Sequence, residues 1–104
     1  MSHGLRLGLL GLLLGASLLP LSAARAQDRV QVPSHDVSAG QAVVMPGFWF
    51  AAKVAGSAPA MVLMHGCGGP YNKGVLAERY TTLAARLNAL GVHVLVTDSL
   101  TPRG

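Results

Sequence analysis

The stretch AMVLMHGCGGPYNKG, residues 60–74, decides how this chain is read. Its first five residues, Ala60 to Met64, are apolar without alternation, as expected of a parallel strand with both faces covered by helices. The run then breaks into glycines at 66, 68, 69 and 74, which let a backbone turn tightly and approach a ligand closely. The chain's one cysteine, Cys67, sits inside that break, so it is either a nucleophile or the neighbour of one.

Downstream, VLAERYTTLAARLNALG (75–91) places Leu76, Tyr80, Leu83, Leu87 and Leu90 on one helical stripe, with Glu78, Arg79 and Arg86 outside it. Gly91 is the expected C-terminal cap. VHVLVTDS resumes a strand from Val92 to Val96, so residues 60–98 form one strand, loop, helix, strand unit. Upstream, VQV predicts an edge strand near 29–32 and PSHDVSAG a connecting loop. In QAVVMPGFWFAAK, Pro46 and Gly47 are expected to interrupt extended structure, leaving a continuous strand from Gly47 to Lys53. VAGSAP then forms a loop. The fold class is α/β: an incomplete sheet of about four strands with one main helix.

Residues 1–26 differ in composition and read as a secretory signal. Arg6 precedes an uncharged apolar run from Leu7 to Leu19, Pro20 ends it, and Ala24 and Ala26 supply the small residues that a signal peptidase accepts. Cleavage is expected after Ala26, giving a secreted or periplasmic product without a stable membrane anchor. An uncut anchor is the competing reading, and the run falls short of the ~20 residues a bilayer requires. A lone cysteine makes no internal disulfide in that oxidising setting. Beyond residue 26, six basic residues (Arg29, Lys53, Lys73, Arg79, Arg86, Arg103) face four acidic ones (Asp28, Asp36, Glu78, Asp98). They are scattered, not gathered with aromatics on one face, which argues against a nucleic-acid partner.

Three chemistries compete for the glycine loop. A dinucleotide fingerprint begun at Gly66 finds Tyr71 where its third glycine belongs, and a phosphate loop begun at Gly69 reaches Gly74 but then meets Val75 and Leu76 in place of Lys and Ser or Thr. The third is a loop whose backbone N–H groups stabilise a developing oxyanion, and this one fits. VLMHGCGGPYNKG, the helix end RLNALG and VHVLVTDSLTPRG together resemble the N-terminal third of exported dienelactone hydrolase family proteins, across residues 27–104 and most strongly after 58. The resemblance implies an α/β hydrolase that cleaves ester or lactone bonds of a small molecule through a Cys or Ser nucleophile, with Asp and His completing the triad further along. It assigns the backbone N–H of Cys67, and less firmly that of Gly68, to the oxyanion hole. Strict dienelactone hydrolases carry a glutamate where Gly66 stands, so the particular substrate is left open.

Cys67 itself does not read as the nucleophile. A nucleophile turn is written Gly-x-Ser-x-Gly or Gly-x-Cys-x-Gly, and His65 occupies the place of the first glycine. His65 reads as a ring that hydrogen-bonds and shapes the loop. His65, Cys67 and His93 lack metal-ligand spacing, so no metal or other cofactor is expected. Asp98 and Ser99 close a strand where catalytic groups often sit; Ser99 is either a nucleophile of an unusual enzyme or a loop hydrogen-bonder. Arg103 is a candidate partner for an anionic substrate, or else a surface residue. Phe48, Trp49 and Phe50 are assigned to packing on the sheet. The expectation is therefore the front portion of a hydrolase that lacks its own nucleophile turn. The alternative is a small secreted binding or structural protein using the same scaffold without catalysis.

Overall fold

The structure is a computed structural model and describes residues 27–104. The expected signal segment and its cleavage after Ala26 lie outside the described residues. The fold is mixed α/β: a four-stranded sheet in the order β1-β2-β6-β3, one helix, and a separate two-residue hairpin. The elements run β1 (Asp28–Ser38), β2 (Gln41–Phe50), β3 (Ala60–Leu63), β4 (Tyr71–Asn72), β5 (Val75–Leu76), α1 (Glu78–Ala89) and β6 (His93–Thr97), followed by a 3₁₀ turn at Thr101–Arg103. Among the described residues no helix is long and apolar enough to cross a membrane.

The first hairpin is longer than the sequence suggests. β1 continues through the expected loop to Ser38, and the chain reverses at Ala39–Gly40, where both residues have left-handed φ values. The Pro, Ser and Asp of this segment are absorbed by an irregularity between Pro33 and Val37, inside which Ser34 Oγ accepts the Asp36 N–H at 3.1 Å. An outer strand tolerates Pro33 because half of its backbone groups face away from the sheet. β2 likewise runs straight through Pro46 and ends at Phe50, not at Lys53. The Pro46 carbonyl accepts the Asp98 N–H at 2.8 Å, one residue past the β2–β6 ladder that begins at Gly47 and Thr97. In an antiparallel strand a residue's N and C=O face the same side, so the missing proline donor falls where the ladder has already ended. Gly47 is required by close approach: a Cβ there would meet Val30 Cγ2 at 2.9 Å and Val32 Cγ2 at 3.0 Å.

One sheet face carries the core. Phe48 and Phe50 on β2 stand opposite Val96 and Val94 on β6, and all four are buried against Ala77, Tyr80 and Ala84. The helical stripe is therefore rotated from the expected one. Tyr80 and Ala84 are buried and Leu87 is packed against them, whereas Leu83 and Leu90 are exposed and Leu76 belongs to β5. Ala84, with no exposed surface, lets the helix axis come close to the sheet, and larger leucines are left on the flanks. The helix ends in a Schellman arrangement around Gly91: the Gly91 N–H bonds Asn88 O at 2.9 Å and the Val92 N–H bonds Leu87 O at 3.0 Å. Asn88 Nδ2 then donates to Phe50 O at 3.1 Å and Val92 O at 2.9 Å, tying the helix end to β2 and to the start of β6.

β3 pairs in parallel with β6, from Ala60 opposite His93 to Leu63 opposite Val96, with α1 supplying the crossover. The expectation that both faces of this strand are covered does not hold among the described residues. Met61, Val62 and Met64 are exposed, and no described strand pairs with the outer edge of β3.

Candidate functional site

Two loops meet at the carboxyl ends of the parallel strands: residues 64–70 after β3 and residues 98–104 after β6. Extending the register of Leu63 opposite Val96 by two residues sets His65 against Asp98, so sheet geometry alone brings the two loops together.

The glycine loop is a hydrogen-bonded turn in which the Gly69 N–H donates to Gly66 O at 3.0 Å. Cys67 and Gly68 occupy its two central positions without positive φ, and Gly69 follows with φ 75°. This is the type I pattern, where glycine is favoured at the fourth position. Gly69 is buried, and its left-handed backbone would strain any other residue. The Gly66 carbonyl has a second partner in His65 Nδ1, at 2.7 Å. Both bonds draw this carbonyl into the turn. In a trans peptide the N–H lies opposite the C=O, so the Cys67 N–H points outward; no peptide in the described chain is cis. The Cys67 and Gly68 amides are exposed and have no acceptor among the described residues. Gly68 also borders an open groove of about 440 Å³, lined in addition by Gly69, Tyr71, Asn72 and the helix start at Glu78 and Arg79. The Cys67 thiol is free and exposed.

His65 joins this turn to the other loop. Its Nε2 accepts the Ser99 N–H at 3.0 Å and lies 3.0 Å from Ser99 Oγ. An amide can only donate, so Nε2 carries no proton and Nδ1–H is the donor to Gly66 O. Asp98 is fully buried, and its Oδ1 accepts the N–H groups of Leu100 and Thr101 at 3.1 Å each, which fixes the start of the 3₁₀ turn. Its Oδ2 is buried without a hydrogen-bond partner among the described residues. Burial raises the Asp98 pKa, but the Thr101 hydroxyl and amide, the nearby Tyr71 hydroxyl and the Leu100 amide outweigh it and hold the carboxyl below its ordinary value. Tyr71 is shifted upward, first by its own burial and then by the adjacent Asp98.

No family model, curated protein or solved structure matches the chain. The site therefore stands on its geometry.

Arg103 pairs with the Asp36 carboxylate and donates to Ser99 O, so a substrate carboxylate would have to compete with Asp36. This pair fastens the second loop to β1, and sequence spacing gave no sign of it across 67 residues. His93 lies at the opposite end of β6 from the loops: its Nδ1 accepts the Ala52 N–H at 2.9 Å, and its ring stacks on Trp49 at 5.3 Å. His65, Cys67 and His93 do not converge, and among the described residues no three His, Cys, Asp or Glu side chains gather as metal ligands.

Proposed function

We propose that this chain supplies the oxyanion loop and the first strands of an exported α/β hydrolase, of the dienelactone hydrolase kind, acting on ester or lactone bonds of a small molecule. Two amides on one tight turn, those of Cys67 and Gly68, without an acceptor among the described residues, carry the reading. They follow the third strand of the chain and precede its helix, the place from which an α/β hydrolase donates an N–H to the oxyanion. Each such donor is worth about 3 kcal/mol of transition-state stabilisation.

On this reading the hydrolase's own nucleophile comes from another segment. No Gly-x-Ser-x-Gly or Gly-x-Cys-x-Gly turn occurs in the sequence. A nucleophile within bonding reach of the Cys67 amide has to hang from a strand next to β3 or β6. β6 is flanked on both sides by β2 and β3, so the open edge of β3 is the position left for it. The exposed apolar side chains of Met61 and Val62 support such a neighbour.

Two experiments test this. DNA read onward from codon 104 is expected to encode a Gly-x-Ser-x-Gly or Gly-x-Cys-x-Gly turn followed by Asp and His; their absence in every frame over roughly a hundred codons, the rest of an ordinary domain, overturns the reading. In the complete enzyme, Cys67→Pro keeps a type I turn, where proline is favoured at the second position, while deleting the N–H. Its kcat on a p-nitrophenyl ester is expected to fall about 10²–10³-fold, with Cys67→Ala close to wild type. Equal activity of the two variants would remove the amide from the mechanism, and a large loss in Cys67→Ala would assign the chemistry to the thiol.

A further inference from the structure

We propose that Ser99 and His65 form a nucleophile and base pair that accepts an acyl group from small activated esters, a capacity of this chain separate from its oxyanion role. The parts of an activated serine are present in the described residues. Ser99 Oγ lies 3.0 Å from His65 Nε2, both residues are half-buried and so reachable, and the opposite ring nitrogen is held at 2.7 Å by the Gly66 carbonyl. A nucleophile in hydrogen-bond reach of a base, the base oriented by a third group, is the arrangement that nucleophilic catalysis uses. Here a backbone carbonyl takes the orienting place of a carboxylate.

The resting tautomer is the productive one. The Ser99 N–H donates to Nε2 and cannot accept, so Nε2 is unprotonated, and its lone pair is shared between that amide and the Ser99 hydroxyl, whose proton it takes by releasing the amide. Of the neighbouring charges, Asp98 turns its Oδ1 to the Leu100 and Thr101 amides, and Arg103 sits on the Ser99 carbonyl and Asp36. In the reaction the Ser99 Oγ to acyl carbon bond forms as the proton passes to His65 Nε2. The ester C–O bond then breaks, and the leaving oxygen takes that proton. Water, deprotonated by the same nitrogen, releases the carboxylic acid and restores the serine.

The test uses the full chain and a fluorophosphonate probe, in which Oγ–P forms, P–F breaks and fluoride leaves. The expected result is an adduct mapped by peptide mass spectrometry to Ser99 and absent from Ser99→Ala. His65→Gln retains an acceptor for the Ser99 N–H but has no base, so its labelling is expected to slow on the order of a hundredfold. An adduct found only at Cys67 or a tyrosine overturns the proposal, as does a folded His65→Gln chain labelled as fast as wild type. If circular dichroism shows that variant unfolded, the adduct site decides, and a wild-type chain left unlabelled at Ser99 overturns the pair. Any of these failures leaves the oxyanion reading standing, since that reading gives Ser99 no chemistry.

Discussion

The two outer strands of the sheet are finished differently. β1 is eleven residues long, carries Asp28, Arg29 and Asp36, contains Pro33, and is distorted between Pro33 and Val37. Charges, proline and a bulge are the devices that stop an outer strand from pairing with another chain. β3 has four residues, no charge and no proline, and Val62 on it is 55% exposed. One edge is closed by its sequence and the other is open to a neighbour. The candidate site sits on the open side: the turn with the free amides follows β3, and the bond from His65 to Ser99 links it inward to β6. The long closed hairpin thereby lies on one flank and the glycine turn on the other.

Both edges depend on one apolar layer, and removing it should erase the difference between them. Phe48, 1% exposed, packs between the sheet and α1 and meets the Tyr71 ring edge-on with centroids 6.0 Å apart. Phe48→Ala is expected to cost about 3–5 kcal/mol by urea unfolding, with amide protection lost together in β1 and β6. Protection surviving in the β1–β2 hairpin alone would show that the closed edge folds independently. A smaller effect, confined to the open side, is expected from His65→Ala. It deletes the acceptor for the Ser99 N–H and one donor to Gly66 O, for about 1–3 kcal/mol, and hydrogen exchange should rise in residues 64–70 and 98–101 while β1 is unchanged. Uniform loss would contradict the local character of the brace. Val62→Lys should shift stability by no more than about 0.5 kcal/mol, as surface changes do, yet raise the soluble monomer fraction in size-exclusion chromatography. A lysine at Val44, also exposed but on the flanked strand β2, serves as the control and should not.

The same contrast explains what could be read in the sequence. The strand, glycine loop, helix, strand order and the cap at Gly91 were legible because periodicity and glycine placement are local signals. The stripe was misread by one position because Leu83 outranks Ala84 in hydrophobicity, whereas the sheet needs a small residue at closest approach. The closed hairpin was hidden by turn-forming residues inside it: Pro33, Ser34 and Asp36 mark a loop in most contexts, and pairing with β2 overrides them here. β3 read as a buried strand from its unbroken apolar run, and composition cannot tell a covered strand from one awaiting cover. At the site, His65 and Ser99 are 34 residues apart, and only the parallel register joins them. The amides of Cys67 and Gly68 were legible as a possibility, but the outward direction of the Cys67 N–H follows only from the two bonds on Gly66 O.

Acid sharpens the comparison at its smallest scale, because β1 and the loop after β6 each hold one carboxylate depressed below its ordinary 3.8. For such a group the stabilisation is complete above the unfolded pKa and disappears as pH falls through the lower folded value, so both effects begin to fade below about pH 4. Asp98 is fully buried, and its contribution should be insensitive to salt. Asp36 is exposed; the Arg103 hydrogen bond, then the Arg103 charge, then Ser34 lower it, and water and ions screen such a pair. In urea titrations between pH 7 and pH 3, the gap between wild type and Asp98→Asn should close with acid at any ionic strength. The gap for Asp36→Asn should be the smaller at pH 7 and should already vanish in 1 M salt, where screening acts over about 3 Å. An Asp36→Asn gap that survives salt would mean the closed edge is locked by more than charge, and that the bulge and the Ser34 bond hold it without Arg103.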